Sequence, residues 1–357
     1  MKRLHVRFIF PLLLALTLGF IACNDAAVDD EAQVMRGEDL RQYDHQVFTL
    51  QEHTQGRGIK FVLLGDGFTA KDIARGHYDE VMRKSSELLF DIEPMRSLRG
   101  YFDVYYVTAV SISSALNGQS AMGCEVSDNV VNGIPSGASM AQRAKEIASL
   151  VPGFSVVNTV VSVVVNSNGY GGITYYPFHT GESGDEAYEQ QIGYAFTSFH
   201  ADGIDGFKFK NVLIHETIGH AFAKLSDEYT YSTDDYASAS GNLRRQEQNF
   251  WWPRYWHLNI TGYRNIDVPW TPFMDDPDYA SENLGLYQGA NYYRNGFWRA
   301  TENSIMRDTD IEGLGFNVVS RWAIFLRTMM IGEGINPDEP GMLEELRARF
   351  KTLDLGQ

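Results

Sequence analysis

Apolar residues along this chain fall into short continuous runs and longer helical stripes. "IKFVLLGDGF" (59–68) is one such run, and it predicts a buried strand entering a turn at Gly65-Asp66-Gly67. From Thr69 to Leu89 the apolar residues Ile73, Tyr78, Val81 and Leu88 recur at helical spacing, so one helix is expected there. "YFDVYYVTAVSI" (101–112) is rich in β-branched and aromatic residues and predicts a second strand, and residues 138–150 read as a helix. "SVVNTVVSVVVNSNGYGGITYYP" (155–177) carries seven Val before Asn166, then a loop with Gly169, Gly171 and Gly172, then another β-rich stretch. The glycine-rich exit from that run is a candidate sheet edge along which a peptide could lie as an added strand.

Strands alternating with helices through this half predict a twisted mixed sheet with helices packed on it, an α+β fold. The pattern then changes. Residues 230–300 are dense in Tyr, Trp, Asn and Asp with little periodicity, which predicts long ordered loops. "FNVVSRWAIFLRTMMIG" (316–332) reads as a closing buried helix, and "EELRARFKTLDL" (344–355) as a solvated amphipathic one. One domain over 45–335 and a helical tail over 336–357 follow, with no internal repeats.

Composition narrows the class. The 357 residues are 44% hydrophobic and 13% aromatic, enough for a sizeable core. The formal charge of −16, with no Lys/Arg cluster long enough to track a phosphate backbone, argues against nucleic acid as a partner. Lys2, Arg3 and Arg7 precede an apolar run from Phe8 to Ile21 and then Ala22-Cys23. This arrangement reads as a signal peptide over 1–22, and its end resembles a bacterial lipobox, with Cys23 as the acylated first residue. Acidic residues 23–44 would be the tether, and the lipid the only attachment to a membrane. With Cys23 acylated, Cys124 has no intramolecular disulfide partner.

The chemistry concentrates in "HETIGHAFAKLSDEY" (215–229). Ile214, Ile218, Ala221, Phe222 and Leu225 mark one apolar helical face, and His215, Glu216 and His220 lie off it, on a helix expected over 206–225. In a regular α-helix, residues five apart point roughly 140° away from each other, too far for two imidazoles to share an ion. A π-bulge near Gly219 would restore them to one side. Imidazoles are good zinc ligands, and a zinc site that keeps a position open for water lowers that water's pKa to about 7. Glu216, beside the first imidazole, is placed to take and return the proton. Asp227 is the leading third ligand. Glu228, His179, His200 and His257 are the alternatives.

The pattern His-Glu-x-x-x-His-x-x-x-x-Leu-x-Asp-Glu-Tyr resembles the bacterial immunoglobulin A peptidase family of zinc metallopeptidases, relatives of the metzincins. "GLYQGANYYRNGFWRATENSIMR" (285–307) is similar to that family's downstream block, and "LLGDGF" (63–68) to the start of its catalytic domain, so the likeness spans about 56–332. The resemblance implies a zincin/metzincin-like fold with one catalytic Zn2+. It further implies His215, His220 and Asp227 as ligands, Glu216 as catalytic base, and Met306 in a Met-turn forming an apolar floor beneath the metal. Two departures stand out: the family typically has two residues between Glu and the second His, and Gly where Lys224 stands.

The expected protein is thus an exported, lipid-anchored cell-envelope zinc metalloendopeptidase, monomeric and acting on peptides or proteins. A non-catalytic envelope binding protein that kept the fold is the alternative, and a zinc hydrolase acting on a glycan a weaker one. Several residues have blander readings: Asp66 as a turn former, Tyr229 as loop packing, and Arg299 and Arg307 as loop-pairing residues before substrate-carboxylate ligands.

Overall fold

A computed structural model describes residues 42–125, 137–169, 171–176, 193–231, 255–262 and 268–356. The proposed signal peptide, Cys23, the tether up to residue 41 and His179 lie outside the described residues. Among the described residues, no helix is long and apolar enough to cross a membrane.

The predicted runs form the centre and one edge of a sheet, to which two strands not read from the sequence, Val47–Gln51 and Tyr194–Ser198, are added. Strands β1 (Val47–Gln51), β2 (Ile59–Asp66), β3 (Phe102–Val107), β4 (Thr159–Val165), β5 (Gly172–Tyr175) and β6 (Tyr194–Ser198) lie in the order β1-β3-β2-β4-β6-β5. The four inner strands are parallel, with Lys60 opposite Thr159 and Val161 opposite Tyr194. The two edge strands run antiparallel, β1 on β3 and β5 on β6. The sheet is therefore mixed, and the glycine-rich stretch does form its edge.

Every residue of β2 and β4 is buried, so both faces of the sheet are covered. One face presents Ile59, Phe61, Leu63, Phe102, Val104 and Val164. It packs against helices α2 (His77–Leu89), α5 (Phe207–Ile214) and α7 (Val318–Thr328). The other face presents Val62, Leu64, Val161, Val163 and Phe196 to Met140, Ala141 and Ala144 of α4 (Gly137–Ala148). Strand period two, laid between two apolar layers, explains why these strands read as nearly continuous hydrophobic runs.

Several expectations need correction. The helix expected over 69–89 is two helices, α1 (Ala70–Ala74) and α2, because Gly76 takes φ +82° between them. Asp66 is not a simple turn former. Its buried carboxylate accepts from the Ser120 hydroxyl at 2.7 Å and from the backbone N–H groups of Met122 and Cys124 at 2.8 and 3.0 Å, fixing a remote loop. Cys124 is a buried free thiol there, and burial next to Asp66 raises it.

The stretch expected to be loops holds a three-stranded sheet, β7 (Ile260–Thr261), β8 (Tyr287–Ala290) and β9 (Tyr293–Arg299), besides α3 (Met95–Leu98) earlier in the chain and the short α6 (Thr271–Met274). The tail helix α8 (Met342–Leu355) is solvated on one side only. Leu346 and Phe350 are wholly buried in the main core, and Arg321 of α7 holds Asp354 at 2.7 Å.

Candidate metal centre

Helix α5 continues without interruption into a π-helix over His215–Phe222. Its signature is explicit at the end, where Ala223 N–H reaches back five residues to the carbonyl of Ile218 at 2.9 Å. Widening the turn to i→i+5 bonds brings the side chains at 215 and 220 to the same side of the helix. The imidazole centroids of His215 and His220 are 4.6 Å apart and the rings nearly perpendicular. The expected bulge is present, but it spreads over eight residues.

Gly219 owes its identity to clearance rather than to backbone freedom. A Cβ there would sit 2.4 Å from Sδ of Met306 and 2.9 Å from its Cε. Met306 is fully buried in the turn at 305–307, directly against the widened helix.

The π-helix ends in a left-handed residue, Lys224, at φ +59°. Glycine reaches that conformation at little cost, which gives a physical reason for Gly at this position. Lys224 holds it with a buried side chain: Nζ donates to the Ala221 carbonyl at 2.8 Å and lies 4.3 Å from the Tyr176 ring centre and 5.2 Å from that of Trp256. Burial drives its pKa well below the usual lysine value.

The turn after Lys224 returns the chain to the imidazoles. Oδ1 of Asp227 lies 3.1 Å from Nε2 of His215 and 3.1 Å from Nε2 of His220, and the two Nε2 atoms are 3.0 Å apart. Nδ1 of His215 donates to the Ile305 carbonyl at 2.9 Å, and Nδ1 of His220 to that of Leu225 at 2.8 Å. With Nδ1 carrying the proton, neutral imidazoles turn their Nε2 lone pairs toward one another and toward a carboxylate. Three acceptors converging in a buried spot call for a cation. A tetrahedral zinc with bonds of about 2.0–2.1 Å has ligand–ligand edges of about 3.3 Å, so the donor triangle fits to within a few tenths of an ångström. Among the described residues, this is the one group of three potential ligands that converges.

The electrostatics agree with that reading. Burial alone would raise Asp227, but the charge on His220 and the hydrogen bonds from both imidazoles hold it far below the carboxylate range. Burial disfavours a charge on His220, yet Asp227 outweighs it and lifts the imidazole to about 9. The field that favours a proton on His220 favours a metal cation at the same point. Glu216 is 6% exposed, and burial raises its carboxyl against the pull of both imidazoles. The Thr174 hydroxyl of edge strand β5 lies 2.8 Å from Oε2 of Glu216 and 3.0 Å from its carbonyl oxygen.

The alternatives for the third donor that lie among the described residues do not converge. Glu228 turns the other way, accepting from Ser304 Oγ at 2.7 Å, Asn259 Nδ2 at 3.0 Å and Asn317 Nδ2 at 3.4 Å, while its N–H donates to the Met306 carbonyl at 2.9 Å. It ties the ligand loop to β7, the 305–307 turn and the start of α7. His200 and His257 are buried outside the triangle. Tyr229 packs against Tyr231 and Tyr292, as loop packing predicts. Arg299 and Arg307 both bond the loop carbonyl of Glu302, and Arg299 also those of Gln288 and Gly289 in β8.

Sequence reasoning missed Tyr292. Its hydroxyl donates to Oδ2 of Asp227, leaving Oδ1 for the imidazoles. Tyr292 and Asn291 form the tip between β8 and β9, at φ +68° and +50°. Asn suits that left-handed turn, whereas a bulky Tyr at its second position is costly. Two further bonds seat the tip on the ligand loop: Asn291 N–H to the Asp227 carbonyl at 2.9 Å and Tyr292 N–H to that of Tyr229 at 3.1 Å. Asn291, a residue type that tolerates left-handed turns, was the only local signal, and nothing in the sequence pointed to Tyr292 reaching Asp227.

The profile of the family described as IgA Peptidase M64 matches residues 49–274, well over half of the chain. The match takes in the sheet, the π-helix and the ligand loop, and stops before Tyr292 and Met306. No curated protein matches the chain.

Proposed function

The chain belongs to the IgA peptidase M64 family, and from that premise we propose that it is a metzincin-like zinc endopeptidase in which His215, His220 and Asp227 hold the ion and Glu216 moves the proton. It is a zinc-dependent peptidase with one zinc site among the described residues, and its substrates are peptides or proteins. The observation that carries the residue assignment is the triangle of two Nε2 atoms and one Oδ1, with sides of 3.0–3.1 Å.

A zinc ion held by that triangle supplies Lewis acidity toward the scissile carbonyl and lowers the pKa of water to about 7. Glu216 takes a proton from the attacking water and passes it to the leaving amine nitrogen. Its buried, raised carboxyl suits that exchange, since a general base works best with a pKa brought toward the working pH. Thr174 keeps one carboxylate oxygen oriented. Tyr292 holds Oδ2 of Asp227, so rotation of the carboxylate does not withdraw Oδ1. Met306 under Gly219 serves as the floor of a Met-turn. The substrate backbone extends the sheet along β5, whose face carries Thr174 against Glu216.

The protein works outside the cytoplasm as a monomer, exported by residues 1–22 and anchored to the cell envelope through acylated Cys23. Mass spectrometry of the mature N-terminus should find a diacylglyceryl group on Cys23, and Cys23→Ser should release the protein from the membrane fraction. A mature N-terminus elsewhere excludes the anchor.

Glu216→Gln tests the mechanism. It should keep close to one zinc per chain and lose peptide hydrolysis by about 100-fold or more. Undiminished turnover removes Glu216 as the base. A wild-type protein that folds but purifies without zinc at neutral pH would instead favour a non-catalytic binding role.

A further inference from the structure

Beside the ligand loop lies a cavity of about 280 Å³ whose lining includes Tyr229, Thr230, Arg294, Arg299, Arg307 and Asp308. Three guanidinium groups around one hollow are unexpected in a chain of net charge −16. Among the described residues, none of the three is ion-paired with a carboxylate. Arg299 is only 6% exposed, and neutral carbonyls hold it: Nη1 donates to Gln288 at 2.8 Å and Gly289 at 2.6 Å, Nε and Nη2 to Glu302 at 3.2 and 3.1 Å. Arg307 Nη1 donates to the same Glu302 carbonyl at 2.7 Å.

Carbonyl dipoles satisfy hydrogen-bonding capacity but do not neutralise charge. Burial lowers the Arg299 pKa, and the neighbouring Arg307 charge lowers it further, so the cations repel one another. Glu228 and then Glu302 offset part of this by charge, though the Glu228 carboxylate is already engaged by Ser304, Asn259 and Asn317. Among the described residues, Asp308 is the one carboxylate in the lining, against three cations, and its Oδ1 accepts from Asp310 N–H. Arg299 is buried, where a charge is costly unless something neutralises it, while Arg294 and Arg307 line the cavity from exposed positions open to a ligand. Arginine presents a planar fork that matches a carboxylate.

The cavity's place relative to the metal centre says what that anion belongs to. Tyr229 and Thr230 follow Asp227 directly along the ligand loop, and Arg307 follows Met306, whose carbonyl binds Glu228 N–H at 2.9 Å. Arg294 and Arg299 come from β9, the strand that begins just after the Tyr292 tip. Both walls of the cavity therefore continue from elements that build the zinc site. We propose that this cavity is a substrate subsite that binds a carboxylate, either an Asp or Glu side chain near the cleaved bond or a peptide C-terminus. The proposal rests on the peptidase reading for its role, though not for its binding chemistry.

The test uses the full-length, zinc-loaded protein on a mixed peptide library read by mass spectrometry, once with free and once with amidated C-termini. Wild type should cleave peptides with Asp or Glu at one fixed position about 10- to 100-fold better than those with Asn or Gln there. Cleavage confined to free C-termini would identify the terminal carboxylate as the source instead. Arg294→Ala combined with Arg307→Ala should collapse that ratio, and the corresponding double Lys variant should restore part of it. Independently of turnover, acetyl-glutamyl amide should shield Arg294 and Arg307 from phenylglyoxal modification, and acetyl-glutaminyl amide should not.

A wild type with no acid or terminus preference, or a preference that survives the double Ala substitution, overturns the subsite. Equal modification with both amides overturns it as well. Shielding by the acidic amide in a protein that cleaves nothing would leave the subsite standing and sink the peptidase role.

Discussion

The sheet and the region around the ligand loop are both buried, yet they are built from different chemistry. In the sheet, β2 and β4 supply Phe61, Leu63, Val161 and Val163, which pack without directional bonds and whose neighbours are set by the strand period. Around the zinc site, Asp227, Glu228, Asn259, Tyr292, Ser304 and Asn317 are joined by hydrogen bonds between residues 31 to 89 positions apart. The first kind of core tolerates exchange of shape for shape. The second fails when any partner leaves, because the remaining buried polar atoms lose their bonds. Stability should therefore reside mainly in the sheet, and metal geometry mainly in the polar region.

The largest effect expected from breaking this contrast is on the apolar side. Leu63→Ala removes a fully buried side chain and should cost about 2–5 kcal/mol in denaturant unfolding, while zinc affinity measured by chelator competition stays within about twofold of wild type. A parallel loss of zinc affinity would show that the two regions are one cooperative unit. Tyr292→Phe is the converse. It deletes only the hydroxyl that holds Oδ2 of Asp227 and should weaken zinc binding about 10- to 100-fold with little change in the apo-protein's unfolding midpoint.

Gly219→Ala probes the seam between the regions, since the new Cβ meets Met306 Sδ at 2.4 Å. Overpacking of about 1–3 kcal/mol is expected. Pairing it with Met306→Ala should recover part of that loss, a non-additivity that a double-mutant cycle would measure. Strict additivity would mean that Met306 is not what excludes a side chain at 219.

Legibility in the sequence follows the same division. Four of the six strands, β2 to β5, were legible as apolar or β-rich runs, and β5 as an edge from its glycine-rich start, whereas β1, only partly buried, and β6, five residues long, carried too short a signal. The π-helix was legible because two imidazoles five residues apart cannot share an ion on a regular helix, so the spacing itself demanded a widened turn. The break at Gly76 was missed because helical spacing on both sides concealed it. The β7–β9 sheet was missed because its strands, "YQGA" and "YRNGFWR", are only partly buried and carry no clean alternation. Lys224 stood out as a departure, but its reason appears only in its φ of +59°.

The sequence by itself determined the mixed sheet, the widened helix and the residue types that converge on zinc, because periods and spacings are local properties. Only the tertiary structure decided that Asp227 and not Glu228 meets the imidazoles, that Gly219 is small for the sake of Met306, and that Tyr292 seats Asp227. It also brought three arginines around one cavity. Each of these depends on segments dozens of residues apart being brought within hydrogen-bonding or van der Waals distance, and short-range patterns do not encode such distances.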